Sequence, residues 1–154
     1  MRKIILFSLT ALAIMACNSN QKSNSQPNPW EQYLVGEWIY ETTNDEAAAH
    51  YQITLALKAD GHMTETEHYT LKTPDDNATA DFDGNIFKGK WKLQNDTLAK
   101  DGKMSVMMGE PKPGEEPERQ EREVKGYTKL LNVTADSLIS LDMRGDTIIF
   151  VRNH

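Results

Sequence analysis

From residue 37 onward the chain alternates between apolar and polar positions. Trp38 and Tyr40 take turns with Glu37, Ile39 and Glu41, and Tyr51, Ile53, Leu55 and Leu57 with Gln52, Thr54, Ala56 and Lys58. Phe87, Gly89, Trp91 and Leu93 alternate with Lys88, Lys90, Lys92 and Gln94. A period of two sends successive side chains to opposite faces, so these stretches are half-buried strands and not helices. Asp60-Gly61 and Asn95-Asp96 are tight-turn pairs, and residues 62–71 run back from the first of them. Further strands are predicted at 97–98, 124–133, 137–143 and 147–152, the last after an Arg144-Gly145-Asp146 turn. Ahead of the strands, Asn28-Pro29-Trp30-Glu31 has the cap, proline and glutamate of a helix start, good for about two turns and ended by Gly36.

At least eight short strands joined by tight turns make an antiparallel meander. A sheet with one dry face must pack on another sheet or close on itself, and closure also removes exposed edges. The fold class expected is therefore all-β: a small closed barrel of about eight strands behind a short N-terminal helical turn. Two segments interrupt the pattern. Residues 73–83 hold four aspartates, and residues 109–123 hold three prolines, six acidic and three basic residues. Both are expected to be long mobile surface loops.

The first 17 residues are of another kind. Arg2 and Lys3 precede an apolar run, 4–16, broken only by Ser8 and Thr10. A membrane span needs about 20 apolar residues, so this run suits an export signal instead. Ile14-Met15-Ala16-Cys17 resembles the lipobox of bacterial lipoproteins, in which the signal is cut before the cysteine and the thiol carries a diacylglycerol. A plain secretory signal needs small residues at its cleavage site but no cysteine, and Cys17 is the only one in the chain. The resemblance implies lipidation at Cys17 and a membrane partner held through that anchor. Asn18, where an aspartate would retain such a protein in the inner membrane, points by the same resemblance to the outer membrane. Residues 18–28 carry no aliphatic or aromatic side chain and cannot offset the entropy of ordering them. The chain thus divides into a signal (1–16), a lipidated cysteine and tether (17–29), and a barrel domain (30–154).

Charge narrows the partners. The 154 residues carry 17 basic and 23 acidic side chains, and loss of Arg2 and Lys3 with the signal leaves −8. Such a chain lacks the basic field that nucleic acid requires. One cysteine excludes an internal disulfide and a multi-thiolate zinc site.

Gly36-Glu37-Trp38 after a helical turn, Gly89-Lys90-Trp91 in mid-chain, and an arginine closing Ile148-Ile149-Phe150-Val151-Arg152 carry a family likeness. Over 30–153 the chain resembles the lipocalin and fatty-acid-binding-protein group, and within it the lipocalin-like domains of small bacterial lipoproteins. The resemblance implies a barrel whose final arginine packs over the first-strand tryptophan or reaches a ligand carboxylate. It also implies a small apolar or amphipathic ligand inside. Trp38, Tyr40, Tyr51, Trp91 and Arg152 are the candidates for the barrel interior or ligand contact. The sequence departs from the group in lacking a helix after the barrel and a helical lid.

Other chemistry is thin. His62 and His68 share a strand face about 20 Å apart and cannot chelate one ion. Met104, Met107 and Met108 suit a flexible packing role better than copper. Glu65 and Glu67 are two apart on one face, and without an evident cation to pair them they are expected to face solvent. Arg144-Gly145-Asp146 is accounted for by the turn. Asp96-Thr97-Leu98, Asp136-Ser137-Leu138 and Asp146-Thr147-Ile148 resemble a bacterial O-glycosylation acceptor, but also read as turn ends followed by strand starts. No nucleophile elbow, zinc-protease motif or phosphate loop is present. The expectation is no enzyme, no cofactor and no metal. It is instead an outer-membrane lipoprotein binding a small molecule or, alternatively, a non-catalytic module with a filled barrel that binds protein or glycan.

Overall fold

A computed structural model describes residues 28–44, 49–72, 79–109 and 116–154. The signal, Cys17 and most of the tether lie outside the described residues. Eight antiparallel strands form a closed barrel in chain order: β1 (Gly36–Asn44), β2 (Ala49–Leu57), β3 (His62–Lys72), β4 (Thr79–Gln94), β5 (Thr97–Met107), β6 (Arg119–Val133), β7 (Ser137–Leu141) and β8 (Thr147–Arg152). The chain enters through one helical turn, α1 (Glu31–Leu34). The fold is thus the small all-β barrel that the alternation requires.

Strand pairing sets which residues share the inner face. Trp38 lies opposite Leu55, Leu57 opposite Met63, and Leu93 opposite Leu98. These belong to a buried core with Leu34, Phe87, Leu130, Val133, Leu138 and Phe150. The core gathers at one end, where α1 lies and where the β2–β3, β4–β5 and β6–β7 turns fall. Gly61, with φ +81, sits in the β2–β3 turn, where a left-handed backbone favours glycine.

Several boundaries differ from expectation. α1 is one turn, not two; Asn28 accepts the Trp30 N–H through its side chain (3.0 Å) and the Glu31 N–H through its carbonyl (3.0 Å). Gly36 does not end the helix but begins β1. The expected loop at 73–83 shrinks, because β4 starts at Thr79; only 73–78 fall outside the described residues. Ala80 and Phe82 take inward register there, opposite Leu71 and Tyr69, and Asp81 and Asp83 face out.

The expected loop at 109–123 shrinks likewise, with 119–123 paired along β5 from Met107↔Arg119 to Lys103↔Glu123. Its charge density misled the composition argument for a physical reason. β7 pairs with β6 only across Leu130–Val133, so on that side the rest of β6 is a sheet edge. Charged side chains are how natural edges discourage unwanted pairing. β5, expected to be very short, runs to Met107, paired on both sides; its inward positions include Lys100 and Gly102 instead of aliphatic residues, so no apolar alternation marks it.

Candidate functional site

At the helix end the barrel is sealed. Trp38 is 0% exposed, and its Nε1 donates to the Leu34 carbonyl (2.8 Å), tying the first strand to α1. Trp38 also pairs with Arg152 across the β1–β8 seam. The guanidinium lies over the indole, Cζ 4.1 Å from the ring centroid. It donates to the carbonyls of Tyr33, Val35 and Ala135, joining α1, the β6–β7 turn and β8 at one point. Gly36, at φ +148, is required here, since a Cβ would collide with Nη1 of Arg152. The first Gly-x-Trp therefore has a plain logic: the glycine makes room for the arginine that covers the tryptophan.

Above this floor comes a mixed layer. Glu65 takes inward register between Leu55 and Phe87, and Lys100 faces in from β5 opposite Trp91. Lys100 Nζ donates to both carboxylate oxygens of Glu65 (3.0 and 2.9 Å), with side chains 15% and 27% exposed respectively. The same ammonium lies 5.2 Å from the Phe87 ring centroid. Gly126 gives the lysine stem its space, and Gly89 and Gly102 give the Phe87 ring its own. The expectation that Glu65 and Glu67 face solvent is corrected by this layer. Both carboxylates point into the barrel, and the cation that makes burial of Glu65 tolerable comes from a strand whose pattern concealed it.

The far half is aromatic and acidic. Tyr51, Tyr69 and Phe82 stand in register on the inner faces of β2, β3 and β4. Their ring centroids are 4.9 Å and 5.6 Å apart in succession. Beside them a bulge places Glu67 against both Gly84 and Asn85. Oε2 of Glu67 accepts from the Tyr69 hydroxyl (3.3 Å), the Asn85 N–H (3.3 Å) and Asn85 Nδ2 (3.0 Å). Asn85 is itself oriented, since its Oδ1 accepts the Met107 N–H (3.4 Å). Gly84 is buried, and a Cβ there would strike the Tyr69 ring. Burial, and then the Glu67 carboxylate, hold the Tyr51 hydroxyl far above the ordinary tyrosine range; Tyr69 is raised for the same two reasons.

The candidate residues are thus split between the two halves. Trp38 and Arg152 form the floor, and the guanidinium is fully engaged with carbonyls and the indole. Trp91 packs at the same end, its Nε1 donating to the Lys58 carbonyl (3.0 Å). Tyr40 and Tyr51 face the far half, Tyr40 lying 5.9 Å from Phe150 between ring centroids. Glu67, Tyr69, Phe82 and Asn85 were missed, though period-two counting from Met63 already places Glu67 and Tyr69 inside. His62 and His68 lie on the outer face with Asp60 and Asp83. A hollow of about 510 Å³ opens on the outer surface beside the β2–β3 turn, bordered by Lys58, His62, Thr64 and Lys88. Tyr127, Leu131 and Asn132 apart, the outer wall of β6 is charged, with exposed ion pairs from Lys125 to Asp101 on β5 and from Lys129 to Asp96 in the β4–β5 turn. No protein-family model matches this chain, and no curated protein matches its sequence.

Proposed function

We propose that this chain is an outer-membrane lipoprotein, anchored through Cys17, whose lipocalin-like barrel holds a small amphipathic molecule in its far half. The observation that carries the reading is the gradient of burial along the inner face. Leu57, Met63 and Phe87 are at most 2% exposed, whereas the inward-facing Tyr51, Ile53, Glu67 and Tyr69 are only half-buried. Water therefore reaches the far half of the interior, and what lines it there is rings with a few polar groups, the make-up of a small-molecule site. An eight-stranded barrel is just wide enough to hold one small ligand.

The competing reading, a filled barrel acting through its surface, has the Glu65–Lys100–Phe87 layer in its favour, because that layer occupies the middle of the lumen. Fluorescence of N-phenyl-1-naphthylamine, a neutral apolar probe, decides between them when it is added to the chain from Asn18 onward, which keeps every described residue. Saturable enhancement that competing amphiphiles displace is the expected result. A flat response leaves the filled-barrel reading standing. In cells, labelled palmitate should follow the full-length protein into the outer-membrane fraction, and Cys17→Ser should abolish both label and pelleting.

A further inference from the structure

We propose that the far half of the barrel is a subsite for an organic cation, a protonated or quaternary amine seated on the Tyr51–Tyr69–Phe82 rings with Glu67 as its counter-charge. The inference rests on the small-molecule reading above and names the head group of that ligand.

Four observations converge. The first is a charge left over: Lys100 neutralises Glu65 through both oxygens, while Glu67 forms no ion pair among the described residues. The second is how Glu67 is held. Its three hydrogen bonds from described residues all end on Oε2, which leaves Oε1 with no donor among them. The donors are neutral, so the carboxylate is aimed without its charge being offset. The third is the ring surface, a continuous run of three aromatic rings centred on the tyrosine that hydrogen-bonds Glu67. Aromatic faces and a carboxylate together attract an organic cation more than either does alone, because the ring quadrupole supplements the full charge. The fourth is that the place is built. A bulge in β4 sets Gly84 and Asn85 against Glu67, a buried glycine clears Tyr69, and Asn85 is fixed by a backbone donor from the next strand. Bulges are enriched where a side chain must be re-aimed toward a site.

The far wall does not reverse the sign. Its inward cation Lys100 is spent on Glu65. Arg122, in inward register on β6, is exposed and lies against the Met104 sulfur (Nη2 to Sδ 4.0 Å). Arg119 donates to the carbonyls of Gly84 (2.6 Å) and Asp83 (2.6 Å). Below the rings, the partly buried Ile53, Tyr40 and Ile148 offer apolar surface for a tail.

Three single-chain amphiphiles of equal length test the proposal: dodecyltrimethylammonium, dodecyl sulfate and dodecyl maltoside. Each is titrated below its micelle concentration against bound N-phenyl-1-naphthylamine. The trimethylammonium compound should bind about tenfold or more tightly than the sulfate. Glu67→Gln should erase that preference and leave dodecyl maltoside affinity unchanged, and Tyr51→Leu should weaken the cation selectively. Glu121→Gln, on the outer face beside Lys103, should change nothing. Equal binding of cation and sulfate, or a preference that survives Glu67→Gln, overturns the cation subsite while the amphiphile reading stands. So does a preference lost as readily in Glu121→Gln, which would mark it as bulk charge. Failure of all three amphiphiles to bind overturns both.

Discussion

From Phe87 to the helix, the inner positions of this barrel are chiefly Leu, Trp, Met and Phe at near-zero exposure; away from the helix they become Tyr, Glu, Asn and Phe that are only half-buried. Each half also spends its glycines differently. Gly36 makes room for an arginine that locks three chain segments together, whereas Gly84 makes room for a tyrosine beside a carboxylate. In the sealed half the central polar groups are matched: the indole N–H meets the Leu34 carbonyl, and the guanidinium meets three carbonyls and a ring. In the far half the Glu67 carboxylate keeps an oxygen without a donor among the described residues. A fold gains stability by matching polar groups internally and gains a binding site by leaving one unmatched, and here the two aims are kept to opposite ends of one lumen.

If the sealed half carries the stability, the largest losses should come from it. Trp38→Ala should cost about 3–5 kcal/mol in denaturant unfolding, the range for emptying a buried aromatic site. Arg152→Ala should cost about 1–3 kcal/mol, combining its ring contact with hydrogen bonds to carbonyls. Arg152→Lys should recover only part, since an ammonium cannot cover the indole as a planar group does. The glycine supplies the sharper test. Gly36→Ala harms the fold partly by displacing Arg152, so Gly36→Ala combined with Arg152→Ala should cost less than the two single changes added together. Strict additivity would mean that the glycine serves only its backbone conformation.

A smaller effect is expected in the layer between the halves. Lys100→Met strands the Glu65 carboxylate at partial burial and should cost about 1–3 kcal/mol. Adding Glu65→Leu to Lys100→Met should restore most of that loss, because a neutral pair of similar volume removes the stranded charge. If the double variant is as unstable as Lys100→Met alone, the bridge is packing first and electrostatics second, and the boundary between the halves lies nearer the mouth.

The sealed half was legible in the sequence, and the far half was not. Leu55 with Leu57 and the turn pairs Asp60-Gly61 and Asn95-Asp96 obey period-two and turn rules directly, and those rules recover the barrel; the Trp38–Arg152 contact at its seam was implied by the family resemblance alone. The far half was obscured because its inner residues are chemically outer-looking. Lys100 and Glu65 each read as solvent-facing until they are placed opposite one another, and that pairing spans 35 residues of chain. Glu67 reads the same way, and its partners Gly84 and Asn85 are set by a bulge in β4, which shifts register without leaving an alternation to count. The charged start of β6 had the composition of a loop because an exposed edge and a disordered segment both reward charge.

The smallest effect separates the halves by pH. Burial and the nearby Glu67 carboxylate keep Tyr51 and Tyr69 protonated in the folded barrel beyond the point where an unfolded chain's tyrosines, with pKa about 10, would ionise. A raised folded pKa contributes stability that is fully present below the unfolded value and is lost as pH rises through the folded one. Stability of the intact protein should therefore begin to fall above about pH 10, where unfolded tyrosines start to release protons that the folded ones retain. Phenolate absorbance gives the measurement. A late-titrating component should be present in the folded protein and should diminish in Tyr51→Phe and in Tyr69→Phe. Glu67→Gln removes one of the two causes and should move that component to lower pH without abolishing it, because burial remains. The floor variant Arg152→Lys should leave the component where it is. A late component that ignores Glu67→Gln would show that burial alone raises these tyrosines, and the carboxylate would then be too well solvated to mark the far half off from the floor.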